Sequence, residues 1–217
     1  MTLRKEIRDE SLCYSSTLMI AGSNTLSLKF RPATASRWSD LERLFGERGA
    51  CGGCWCMFWR VPRKQWDAQR GDGNKTALRK IVTAGGSAPG ILAYAGRQPV
   101  GWCAIAPRKQ YVALERSRIL KPIDDQPVWS ISCLFVKPTH RRLGVSALLL
   151  KAAVEYAAGQ GATIVEGYPV EPATAKMPDP FLWHGVPSAF KAAGFHEVLR
   201  RSQTRPIMRV LIKDNLR

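Results

Sequence analysis

Between Arg141 and Ser146 the chain reads Arg141-Arg142-Leu143-Gly144-Val145-Ser146, two guanidiniums, a glycine and a small hydroxyl at the point where an extended run gives way to a helical one. The first amides of a helix have no partner inside it and lie at the positive end of its dipole, so they can hold an anion. Gly144 removes the Cβ that would keep a phosphate off the backbone, and Arg141, Arg142 and the nearby His140 add positive charge. A plain turn with solvated arginines would use the same residues, and spacing alone leaves both readings open.

Three further side chains could move a proton. Glu166 and Tyr168 are two apart in an extended run and so share a face. A carboxylate in mid-strand is either a working base or the ion-pair partner of an arginine. His184 carries an imidazole that titrates near neutral pH, in a proline-rich loop over 170–184 whose Phe181 and Trp183 suit a lid. A different chemistry is suggested by Cys51, Cys54 and Cys56 among Trp55, Met57, Phe58 and Trp59. A structural zinc needs four ligands, and His140, His184 and His196 are all remote in sequence, so these thiols are read as buried or pocket-lining and no metal is expected.

The elements that position these groups follow from periodicity. Val128 to Val136 alternates two faces, Val128, Ser130, Ser132, Leu134 and Val136 against Trp129, Ile131, Cys133 and Phe135, each apolar or small, as in a central strand covered on both sides. Lys137-Pro138 ends it, and Val145, Leu148, Leu149, Ala152, Ala153 and Tyr156 then trace one face of a helix closed by Gly159-Gln160-Gly161. Upstream, Leu26–Phe30 reads as a strand, Thr34–Leu44 as a helix burying Trp38 and Leu41, and Asn74–Thr83 as a helix capped by Asp72 or Asn74. Runs 90–96 and 99–107 form a hairpin about Gly96-Arg97-Gln98, and Arg108–Gln126 is a charged surface connection. Thr163–Tyr168 is a further strand, and the run from Glu197 supplies closing strands rich in arginine. Residues 1–25 show no sustained period and are expected to be a mobile arm, leaving 26–217 as one domain.

With 217 residues and 45% hydrophobic content the chain can bury a sizeable core. Its formal net charge of +16 favours anionic partners without saying which. The arginines are dispersed rather than interleaved with aromatics in one module, so nucleic acid is disfavoured as a partner. No apolar run is long enough to span a membrane, and the uneven spacing of the six cysteines fits a reducing cytoplasm.

Strand, basic turn, glycine and helix together resemble motif A of the GNAT superfamily of N-acetyltransferases, (Arg/Gln)-x-x-Gly-x-(Gly/Ala), here Arg141, Gly144 and, with a hydroxyl added, Ser146. Ala189-Phe190-Lys191-Ala192-Ala193-Gly194-Phe195 resembles the same superfamily's late helix. The resemblance implies an α/β fold whose central, mostly antiparallel sheet contains a splayed parallel strand pair and is flanked by helices. It implies acetyl-CoA as cosubstrate, with its pyrophosphate on Arg141, Arg142, Leu143, Gly144, Val145 and Ser146 and its pantetheine arm along Leu134, Phe135 and Val136. The acetyl group would pass directly to an amine of an acceptor that the residues do not identify. Glu166 is then the first candidate base and His184 the second. The usual thiolate-protonating tyrosine is replaced by Phe190 beside the coenzyme, and Tyr168 is the substitute donor. Alternatives are a coenzyme-binding regulator without catalysis and a basic nucleic-acid-binding protein; a monomer or a homodimer would suit either enzyme or regulator.

Overall fold

The computed structural model describes residues 14–20, 24–172 and 183–212. An eight-stranded sheet, in the spatial order β1-β2-β3-β4-β5-β6-β8-β7, carries the molecule. Its strands are β1 (Tyr14–Ile20), β2 (Asn24–Pro32), β3 (Gly90–Ala95), β4 (Gln98–Pro107), β5 (Trp129–Val136), β6 (Ile164–Gly167), β7 (His196–Arg200) and β8 (Pro206–Leu211). The helices are α1 (Trp38–Phe45), α2 (Arg63–Ala68), α3 (Asp72–Thr83), α4 (Val112–Glu115), α5 (Val145–Gly159) and α6 (Pro187–Ala192).

All neighbouring strands run antiparallel except β5 and β6. That parallel pair keeps register for three rungs, Trp129↔Val165, Ser130↔Glu166 and Ile131↔Gly167, and then parts. Gly167 is where it parts: a Cβ there would lie 2.1 Å from Cε1 of the buried Phe190 ring, so the ring wedges against the end of β6 and no side chain fits between. The segment Trp183–Gly185 bridges the gap beyond it, the Leu134 amide donating to the Trp183 carbonyl at 2.7 Å and the Val170 amide to the Gly185 carbonyl at 2.9 Å.

Two apolar layers cover the sheet. On one face α5 buries Val145, Leu149, Leu150, Ala153 and Tyr156 against Ile91, Cys103, Ile105, Trp129, Ile131, Leu134 and Val136. On the other, Trp38, Leu41, Leu44 and Phe45 of α1 and Leu78 and Val82 of α3 pack on Leu92, Trp102, Ala104 and Cys133. The assignment of β5 residues to faces departs from the simple alternation expected of Val128–Val136. Against β4 the pairing steps from Ile105↔Ile131 to Ala104↔Cys133, leaving Ser132 as a bulge. The extra residue reverses the phase, so Leu134 and Val136 join Trp129 and Ile131 on the α5 face, while Cys133 and Phe135 look to the opposite side.

Three other expectations are revised. Residues 14–20, inside the segment read as an arm, form β1 and pair with β2 from Tyr14↔Phe30 to Ile20↔Asn24. Tyr14 and Leu18 rest on the α5 core, an alternation too short to stand out; residues 1–13 lie outside the described residues. The 108–126 connection is more than surface, since Tyr111, Leu114 and Leu120 bury beside Tyr168 in a third apolar cluster. Neither Asp72 nor Asn74 caps α3. Asn74 is fully buried and donates to the Gly53 carbonyl at 3.1 Å, tying that helix to the cysteine-rich turns.

Candidate active site

Where β5 and β6 separate, a cleft of about 250 Å³ opens over Leu134, Phe135, Val136, Arg141, Ser146, Trp183, Gly185, Val186 and Ala189, with Ala50 and Cys51 at its far wall. Its floor is the free side of β5. The Arg141 guanidinium reaches back to the Val136 carbonyl at 3.0 Å, which shows that this peptide faces the cleft rather than β4. At the end of the floor the chain turns through Arg142 at φ 60° and Gly144 at φ 78° before entering α5. Two left-handed residues around Leu143 curl the backbone, and a carbonyl bond reaches back to Gly144 only from Ala147 at 3.1 Å and Leu148 at 3.4 Å. The earlier amides of α5 therefore have no helical acceptor, which is the arrangement that binds phosphate oxygens. Arg142 and Gly144 are exposed, Leu143 is half-buried, and the Val145 side chain belongs to the core, so Val145 offers the site only its backbone.

Phe190 does not line the cleft. It is fully buried beneath it, 5.1 Å from the Phe195 ring centroid and wedged against Gly167, so its contribution is to hold the strands apart. His140 is half-buried outside the described lining of the cleft, with Nδ1 2.9 Å from its neighbour Thr139 Oγ1.

The far wall of the cleft is shared with a second cavity of about 290 Å³ that also touches Leu134, Phe135 and Trp183. Its other walls are Gly52, Cys54, Cys56, Phe58, Trp66, Arg70 and Cys133. The cysteine-rich stretch makes this wall as a coil of tight turns, with Gly53 N–H to Arg48 O, Cys54 N–H to Cys51 O and Met57 N–H to Cys54 O, and with Ala50, Trp55 and Cys56 at positive φ. Cys56 and Cys133 bring their sulfurs to 3.1 Å, and the Trp102 indole donates to Cys56 Sγ at 3.2 Å. Burial pushes the Cys54 thiol up to about 11, and the neighbouring Cys56 together with burial pushes Cys133 far above its ordinary value, so both are protonated thiols at neutral pH. Among the described residues no group of three or more His, Cys, Asp or Glu side chains is placed to hold a metal ion.

Glu166 and Tyr168 lie together but apart from both cavities. Glu166 is fully buried, with Oε1 3.0 Å from Arg108 Nη1 and Oε2 2.7 Å from Arg209 Nε. Tyr168 donates to Glu166 Oε1 at 2.6 Å, accepts from Arg108 at 2.5 Å and sits 2.8 Å from Ser130 Oγ. Arg209 continues outward to Asp124 at 2.6 Å. Both carboxylate oxygens are committed inward and neither cavity is lined by them, so the role as base is withdrawn in favour of the ion-pair reading. The same holds for Tyr168 as proton donor. Burial and the Glu166 carboxylate drive its phenol well above the usual range, and its proton is held by Glu166.

His184 is also closed off as a base. Its single lone pair, on Nε2, accepts from the Trp59 indole at 2.9 Å, which puts the ring proton on Nδ1, 3.4 Å from Arg205 Nη1. An imidazolium would have no lone pair for the indole, and burial together with the Arg205 charge holds the ring well below its ordinary value. It is a neutral strut. Residues 173–182, including Phe181 of the expected lid, lie outside the described residues, while Trp183 does stand between the two cavities.

Sequence reasoning passed over Arg108, Arg209 and Ser130, and also Gly185, Val186 and Ala189 on the cleft wall. The first three are joined to Glu166 or Tyr168 across 38 to 60 residues, and nothing local marks such a pairing. The cleft-wall residues precede or begin a helix, and the Val186-Pro187 step with Pro at its first position was a readable start.

Against known structures the chain is similar to a putative arylalkylamine N-acetyltransferase 7 of the yellow fever mosquito Aedes aegypti, at 9% identity over 92% of this chain and 93% of that one, with a TM-score of 0.56. It is also similar to a GNAT-family acetyltransferase of Listeria monocytogenes, at 9% identity over 90% and 99% of the two chains, with a TM-score of 0.52. At such identities the likeness concerns the fold. A search among curated protein sequences gave no match. A family model described as acetyltransferase (GNAT) family matches residues 55–175, which run from the cysteine-rich wall through the splayed strand and the turn at Arg141–Ser146. Since that match spans more than half of the chain, this chain belongs to the GNAT family of acetyltransferases.

Proposed function

We propose that the protein is an N-acetyltransferase that carries an acetyl group from acetyl-CoA directly to an amine of a second substrate. The observation that carries this is the meeting of two cavities at Leu134, Phe135 and Trp183, one leading to the anion-binding turn and the other enclosed by aromatic side chains. A thioester laid along β5 would bring its carbonyl to that junction, and an amine entering from the aromatic side would face it.

The pyrophosphate is held by the amides of the Arg142–Ser146 turn with Arg141 and Arg142 beside them. The pantetheine arm lies along the open edge of β5 at Leu134 and Val136. In the transfer the amine nitrogen bonds the acetyl carbon, the carbon–sulfur bond breaks, and the sulfur leaves with its electron pair as coenzyme A thiolate. The Leu134 amide, now donating to the Trp183 carbonyl at 2.7 Å, is the strand donor at the junction, and exchanging that carbonyl for the thioester oxygen would stabilise the developing oxyanion. One proton departs from the attacking amine. With Glu166, Tyr168 and His184 all engaged elsewhere, it leaves to water, aided by an apolar pocket that disfavours the ammonium form. Phe190 gives no proton, so the thiolate also takes its proton from water.

Gly144→Glu tests the coenzyme site. A carboxylate at that turn, on a residue at φ 78°, sets charge and strain against the phosphates. Calorimetry is expected to show acetyl-CoA bound by the wild type and affinity lowered at least a hundredfold in the variant; equal affinity would remove the assignment.

A further inference from the structure

The second cavity has walls of one chemistry and a mouth of another. Phe58 meets Trp66 edge to face at 5.3 Å and Trp183 at 5.4 Å, so three rings share one wall of a space near the small end of ligand pockets, roughly 300 Å³. Planar or apolar groups fit there by dispersion and stacking. At the mouth the Arg70 guanidinium lies 4.4 Å over the Trp66 ring, with a half-exposed side chain.

The charges around it favour an anion. Arg63 stands 4.9 Å over the same Trp66 ring, and Lys64 follows it. The carboxylate within ion-pair distance of the two arginines among the described residues is Asp67, bonded to Arg63 at 2.8 Å and approaching Arg70 only to 3.4 Å. Arg70 therefore keeps most of its donors for a carboxylate in fork geometry. Among the described residues that line the cavity there is no carboxylate to pair with a second ammonium. A polyamine or a lysine-rich segment would bring cations toward cations.

From this we infer that the acceptor is a small aromatic or similarly planar molecule that carries a carboxylate besides its amine, with Arg70 reading the carboxylate and Phe58, Trp66 and Trp183 the ring. This rests on the acetyltransferase reading above and adds the substrate class to it.

Matched pairs that differ only by the carboxylate test it: phenylalanine against 2-phenylethylamine, and 4-(aminomethyl)benzoate against benzylamine, with spermidine as the cationic competitor. Acetylated product is measured by mass spectrometry at saturating acetyl-CoA, and binding of each compound to the coenzyme A complex by calorimetry. In at least one pair the acid is expected to exceed its amine by about tenfold in kcat/KM, the effect of one charge-assisted contact at a half-exposed site. Arg70→Gln should erase that ratio by raising KM for the acid far more than for its amine, and Arg70→Lys should keep part of it. Equal or better use of both amines, better use of spermidine, or an unchanged ratio in Arg70→Gln overturns the substrate class. So does a protein that binds acetyl-CoA yet neither binds nor acetylates the acids. Failure to bind acetyl-CoA at all would instead remove the acetyltransferase reading.

Discussion

Glu166 shows how far a residue's type can mislead about its work. A carboxylate in mid-strand beside a tyrosine has the chemistry of a base, and only its neighbours decide otherwise. Arg108 and Arg209 take one oxygen each, while Tyr168 adds a third bond, so the group ties β6 to β8 and to the turn after β4. Removing one member of such a buried set leaves charges unpaired. Glu166→Gln is accordingly expected to lower stability by about 3 kcal/mol in urea unfolding, the lower end of the range for a broken buried pair because Asp124 still holds Arg209. The folded fraction should retain its kcat and its affinity for acetyl-CoA. A variant of unchanged stability with a much reduced kcat would return Glu166 to the chemistry. His184 differs in that its loop position suggested freedom, whereas the Trp59 indole takes its one lone pair and Arg205 stands beside the other nitrogen.

At the scale of elements, what could be seen in the sequence was what is local. The turn at Arg141–Ser146 declares itself because strand end, glycine and helix start lie within a few residues, and the structure places Gly144 at φ 78° where a side chain would be strained. The bulge at Ser132 could not be seen. It exists only relative to the register of β4, and the amino-acid pattern of β5 is apolar on both faces, so no residue is visibly misplaced by a one-residue slip. Yet that bulge decides which side chains face the second cavity. The splay has a similar origin: Gly167 and Phe190 are 23 positions apart by number and meet only because α6 returns over the end of β6. Gly167→Ala should force the ring away and cost about 1–3 kcal/mol by overpacking. Combining it with Phe190→Leu should recover part of that loss, giving a coupling energy in a double-mutant cycle. Additive effects would mean that the ring does not wedge the strands.

For the molecule as a whole, the two cavities are held at their junction by a bridge across the parted strands, and this bridge has a dependence on acidity. Trp183–Gly185 joins β5 to the end of β6 through backbone bonds, and His184 in its middle is buried against Trp59 and Arg205. The imidazole is neutral in the fold because burial and the adjacent guanidinium hold its folded value well below the ordinary one. Unfolding frees it to take a proton at its usual value of about 6.5. The sign follows directly: below that value the unfolded chain binds one more proton than the native one, so stability rises with pH and is lost as pH falls. The contribution is complete above about pH 7 and declines below about 6.5, with a slope approaching 1.4 kcal/mol per pH unit, roughly the value for a single proton. Carboxylates held low by arginine, such as Asp124 and Glu197, act the same way but only in the more acidic range where unfolded carboxyls titrate. Urea unfolding from pH 7.5 to 5.0 should therefore show a fall in the wild type that is much flatter in His184→Gln, which keeps an acceptor for the Trp59 indole and has no proton to gain. The folded imidazole stays neutral over this range, so Trp183, which walls both cavities and holds the Leu134 amide through its carbonyl, should keep its place in the folded protein. Equal slopes in the two proteins would place the acid sensitivity elsewhere and leave the bridge indifferent to the protonation of its histidine.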